Sequence, residues 1–172
     1  MNRMGISVVA MLLCACGTSF AEEKQAASKG ADEAANAARA VVEQGLAAVE
    51  RMDADGLRAL CSADVVGYDI DLENKPVRFA SSGEAAAYIA AISAEAKKMG
   101  AKFKFENTKY DCRAASDMAY CLLEYDFVAT TADGTRMVQP TRTTVALRKS
   151  DGAWKWVHWH SSLSGPAVTT TK

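Results

Sequence analysis

Thr141-Arg-Thr-Thr-Val-Ala-Leu-Arg-Lys-Ser-Asp-Gly-Ala-Trp-Lys-Trp-Val-His-Trp-His-Ser-Ser162 decides how this chain is read. Two runs rich in β-branched and aromatic residues flank Ser150-Asp-Gly152, and that pattern predicts a β-hairpin. The stretch also carries both histidines of the protein, His158 and His160.

Working outward, the turns set a register. A three-residue loop at Ser150-Asp-Gly152 pairs Lys149 with Ala153, Val145 with Val157 and Thr143 with Trp159. The same loop type at Ala132-Asp-Gly134 sets Cys121 opposite Val145 and Leu123 opposite Thr143. Opposed residues share a sheet face. One face then holds Leu123, Tyr125, Thr143, Val145, Val157 and Trp159, and is the core face. The other holds Glu124, Asp126, Arg142, Trp156, His158 and His160, so both histidines point away from the core.

Upstream, apolar residues recur at helical spacing from about Asp32 (Ala38, Val41, Val42, Gly45, Val49, Met52). Asp53 caps a short second helix. Val65–Asp71 reads as a strand and 74–76 as a loop. Ser81-Ser-Gly-Glu84 has capping-box spacing and opens a third helix, which Gly100 closes. Strands follow at about 102–113, 118–130, 136–149 and 154–163. Helices followed by an antiparallel meander make an α+β domain.

At 172 residues the chain fits one domain behind a leader. A net charge of −1 with scattered lysines and arginines excludes a nucleic-acid footprint. Arg3 and the apolar run Gly5–Leu13 form a targeting signal too short for a permanent span. Ser19-Phe-Ala21 offers a signal-peptidase ending, giving a leader over 1–21. Leu13-Cys-Ala-Cys16 offers a lipoprotein ending, with a lipid on Cys16 as the only expected membrane contact. Both endings predict export, to a bacterial periplasm. Residues 22–31 read as a flexible linker, 32–166 as the domain and 167–172 as a tail.

Export leaves Cys61, Cys112 and Cys121 in an oxidising compartment. With Ser116-Asp117 as a two-residue turn, Cys112 and Cys121 oppose each other at a non-hydrogen-bonded position, which suits a cross-strand disulfide. A turn one residue longer would put them on opposite faces. Cys61 reads as a small buried hydrophobe.

Asp151-Gly152, Trp154, Val157, His158, His160, Ser162 and Gly165-Pro166, with Thr144 and the Asp133-Gly134 turn, resemble the nuclear transport factor 2-like superfamily over residues 35–166. SnoaL-like domains and the association domain of calcium/calmodulin-dependent kinases are the most similar members. The resemblance implies a cone, with three N-terminal helices packed on a curved antiparallel sheet around a pocket. It also implies that Ser161 and Val145 stand where the kinase domains carry pocket arginines, so that anion site does not transfer.

Tyr68, Tyr110, Tyr125, Thr143, Trp159 and Ser161 are the pocket candidates, with Asp69 or Asp71 added if the first strand enters the other way. No catalytic residue is identified. His158-x-His160 could share a metal with Glu124 or Asp126. Two secured ligands fall short of a site, so Arg142, Trp156, His158 and His160 are assigned to a dimer face, with no metal or cofactor expected. Three functions remain: a homodimeric exported protein binding a small, mainly apolar ligand, a cofactor-free lyase or isomerase, and a structural partner-binding module.

Overall fold

The structure is a computed structural model that describes residues 16–171. The n-region, the apolar run and Cys14 lie outside the described residues. Helix α1 spans Cys16–Glu50, so residues 22–31 are helical, where a flexible linker was expected. Helix α2 (Ala54–Leu60) starts at Asp53, whose carboxylate accepts from Gly56 N at 2.8 Å. Helix α3 (Ser82–Met99) follows two strands, β1 (Cys61–Ile70) and β2 (Pro76–Phe79). Its first turn is closed by Ser81 Oγ accepting from Glu84 N, and its end by Gly100 in the left-handed region at φ 60°.

Four long strands complete the sheet: β3 (Lys102–Ala115), β4 (Met118–Thr130), β5 (Arg136–Ser150) and β6 (Ala153–Leu163). Their order is β2-β1-β6-β5-β4-β3, and the short β7 (Val168–Thr170) pairs with β5. The sheet is mixed. β1 runs parallel to β6, with Gly67 beside Trp159 and Tyr68 beside His160. The expected all-antiparallel sheet fails at this one junction. Two strands so far apart in sequence are joined by no turn that sequence can show.

The β4–β5 register is the expected one, Cys121 opposite Val145 and Leu123 opposite Thr143. The β5–β6 register differs. Asp151 and Gly152 both take positive φ (52° and 81°), the geometry of a two-residue hairpin turn, and Ser150 pairs with Ala153. That one-residue slip turns Trp154 and Trp156 inward beside Leu147. A bulge at Val157 then restores the original parity, so Val145 opposes Trp159 and Thr143 opposes Ser161. Trp156 is therefore buried in the core, at 6 % exposure, and is no part of an outer face.

α1 contributes Ala38, Val42 and Ala48, and α3 contributes Ala85 and Ile89, to a core shared with Val65, Leu123, Val145 and Leu147. Glycine lets two tryptophans approach. A Cβ on Gly45 would lie 2.4 Å from Trp156, and one on Gly67 would lie 2.3 Å from Trp159. Cys112 and Cys121 form a disulfide across β3 and β4, with Cα atoms 4.0 Å apart. Cys61 is free and buried, and burial pushes its thiol up to about 12.

Candidate functional site

Between the helices and the inner sheet face lies a cavity of about 120 Å³. Its walls are mainly apolar and aromatic, from Phe79 on β2, Tyr88 on α3, Phe105 on β3 and Trp156 and Trp159 on β6. Polar groups converge along one side. Tyr125, Thr143 and Ser161 lie on neighbouring strands at inward positions, and Asp69 reaches the same row from β1.

The three hydroxyls of the row are hydrogen-bonded in series. Tyr125 Oη and Thr143 Oγ1 are 2.8 Å apart, and Thr143 Oγ1 donates to Ser161 Oγ at 2.9 Å. Thr143 gives its one proton to Ser161, so Tyr125 donates to Thr143. Ser161 and the Asp69 carboxylate line the cavity from the adjacent strands β6 and β1. Asp69 Oδ2 accepts from Trp159 Nε1 at 3.2 Å, and Oδ1 from Ile70 N at 2.9 Å.

Burial raises the Asp69 carboxyl above the ordinary carboxylate range. Hydrogen bonds from Ile70 and Trp159, the nearby Ser161 hydroxyl and the field of His160 offset only part of that. Burial, and then the negative charge of Asp69, push the Tyr125 phenol up, and the Tyr88 phenol up to about 12. Both tyrosines are therefore neutral hydrogen-bonding groups at ordinary pH. At the far end, Gln139 Nε2 donates to Asp71 O at 3.0 Å and to Asn74 Oδ1 at 2.9 Å, tying the β1–β2 loop to β5. The Trp156 indole N–H is buried without an acceptor among the described residues.

Of the pocket candidates, Tyr125, Thr143, Trp159 and Ser161 line this cavity and two tyrosines do not. Tyr68 points outward and is 44 % exposed, because its neighbour Asp69 takes the inward position on the alternating strand. Its ring meets His158 and His160 edge-on, each centroid 6.2 Å away. Tyr110 is half-buried under the Arg39 guanidinium, 4.5 Å from its ring centroid, where α1 crosses β3. Asp69 was named only as conditional on the entry of β1. The alternation Val65, Gly67, Asp69 was the signal for it, with small or apolar residues at the two inward positions before it. No group of three or more metal-ligating side chains occurs among the described residues.

The SnoaL-like domain family matches residues 38–166, which include every residue of the row and both histidines. The chain belongs to that family. No curated protein matches it. Among solved structures, one relative is a protein of the nuclear transport factor 2-like family from Streptomyces avermitilis, provisionally described as a dehydratase. It is 17% identical over 78% of this chain and 99% of its own, with a TM-score of 0.61. A ketosteroid isomerase-like protein from Erwinia carotovora is 18% identical over 77% and 97%, with a TM-score of 0.57. A protein from Xanthomonas campestris, provisionally described as a calcium/calmodulin-dependent protein kinase II association domain, is 21% identical over 73% and 84%, also at 0.57. At these identities the likeness establishes a shared fold.

Proposed function

We propose that this SnoaL-like domain is exported and binds a small, mainly apolar molecule in the cavity, against the row Asp69–Ser161–Thr143–Tyr125. The observation that carries this reading is a mainly apolar cavity with a row of hydrogen-bonding groups along one side, an arrangement that orients a ligand as well as holding it. Its size suits a compact ligand, since an engineered cavity of roughly 150 Å³ accommodates benzene. Single-ring molecules bearing one polar group should shift the tryptophan emission, because Trp156 and Trp159 form part of the wall. If no such molecule changes the emission or the melting temperature, the cavity is structural and the partner-binding reading takes its place.

A homodimer belongs to the same proposal. The outward positions of β4 expose Met118, Tyr120 and Leu122 in succession, with Tyr68 on β1 exposed as well. Arg142, His158 and His160 complete this face, and a second copy would cover it. Export is supported by the leader-like sequence and by the disulfide, which an oxidising compartment maintains. No helix among the described residues is long and apolar enough to cross a membrane.

Asp69 itself favours the lyase or isomerase as a second reading. A carboxylate with a raised pKa in an apolar cavity suits general-base work. It would take a proton from a carbon beside a carbonyl. Proton–deuterium exchange at such a carbon in D₂O, lost in Asp69→Asn, is the outcome that reading requires.

A further inference from the structure

We propose that the cavity selects a protonated amine carried on a single hydrophobic ring, with the ammonium on Asp69 and the ring against Phe79, Tyr88 and Trp159. This inference rests on the binding reading above and narrows its ligand class.

The charges around the cavity point one way. Its lining holds two carboxylates, Asp69 and Asp71, and no lysine, arginine or histidine. Asp71 is occupied elsewhere, its Oδ1 accepting from the backbone N–H groups of Glu73 and Lys75, both at 2.8 Å. Asp69 forms no ion pair among the described residues. Its two donors, Trp159 Nε1 and Ile70 N, are both neutral. A carboxylate has about four lone-pair directions, so about two remain for a ligand. An anionic ligand would meet a like charge inside a low-dielectric cavity, whereas an ammonium neutralises it there.

The walls fit the same ligand. Phe79 lies 5.5 Å from Trp159 and 5.2 Å from Tyr88 between ring centroids, forming a continuous aromatic surface beside Asp69. Aromatic faces attract cations, most strongly where water is excluded. Affinity for an amine should rise as pH rises through the Asp69 pKa and fall above that of the amine. The groups facing Asp69 leave this profile in place. Tyr88 from α3 and Tyr125 from β4 stay neutral, Asp71 on β1 adds negative charge, and His160 on β6 points away from the cavity.

Three single-ring probes test this on the full chain: benzylamine, the isosteric benzyl alcohol, and benzoate, titrated by tryptophan fluorescence against wild type and Asp69→Asn. Benzylamine should bind wild type roughly tenfold to a hundredfold more tightly than benzyl alcohol, the usual range for a charge-assisted contact. Benzoate should bind most weakly. Asp69→Asn should remove the preference for the amine over the alcohol. Equal binding of amine and alcohol, unchanged by Asp69→Asn, overturns the amine selectivity and leaves the binding reading standing. Failure of all three probes to bind overturns both.

Discussion

The disulfide offers the most quantitative test of the fold. Cys112 and Cys121 are nine residues apart, and the bridge closes the β3–β4 hairpin around the Ser116-Asp117 turn. Loop-closure entropy for that length is about 8.6 cal/mol/K, which removes about 2.6 kcal/mol of freedom from the denatured chain at 25 °C. The bridge sits on the inner face, with Cys121 fully buried and Cys112 half-buried, so alanine at both positions also loses packed sulfur. Comparing oxidised with reduced wild type leaves composition unchanged. Urea unfolding with and without reductant should show the oxidised midpoint higher, with a free-energy difference of about 2–3 kcal/mol. Mass spectrometry should find the 112–121 cross-link and a free thiol at Cys61. A difference below about 0.5 kcal/mol, with the cross-link present, would refute the reasoning. The hairpin would then already be closed in the denatured ensemble, leaving the bridge no freedom to remove.

Other residues make separable predictions. The Asp69 pKa is raised on folding, so its contribution to stability is full below the unfolded value of about 3.9 and is lost as pH rises through the folded value. Asp69→Asn should therefore raise the melting temperature at pH 7 relative to pH 4, and an unchanged pH profile would count against a buried carboxylate. Gly67→Ala puts a Cβ into the Trp159 indole and should cost about 1–3 kcal/mol in chemical denaturation, with altered tryptophan emission. Thr143→Val keeps the shape but breaks the row at its centre, and a loss of about 1–3 kcal/mol should appear in the same assay. Leu122→Asp, exposed on the outer face, should leave the melting temperature of the monomer unchanged and abolish any dimer seen by sedimentation.

Legibility in the sequence followed the range of the interactions. The β4–β5 register could be counted from the Ala132-Asp-Gly134 turn, because no irregularity intervenes across that long pair. The same turn counting gave Cys112 opposite Cys121. At Ser150-Asp-Gly152 it gave a loop one residue too long, and Trp156 was assigned outward when it faces the core. The bulge at Val157 compensated, so Trp159 kept its inward position and the histidines their outward one. A bulge leaves no mark on composition, and two compensating shifts are invisible to alternation alone. The parallel β1–β6 junction was illegible for another reason. It is fixed by burial of Val65 and Asp69 against residues far along the chain, so Tyr68 was given the inward place that Asp69 holds. Tyr110 faces α1, and only the path of that helix decides whether it meets the cavity.

The pairing of β1 with β6 also sets the order in which this molecule can come into being. Asp69 and Trp159 are ninety positions apart, and their hydrogen bond joins two strands that are neighbours in the sheet but distant in the chain. A chain emerging from a ribosome or a translocation channel presents its carboxylate long before the strand that must flank it. Until β6 arrives, β1 is an apolar edge carrying Val65 and Val66 with no neighbour on one side. Contacts of such separation form slowly. The cavity consequently cannot be complete before β6 is made, and any chain interrupted before Trp159 has neither the site nor a continuous sheet.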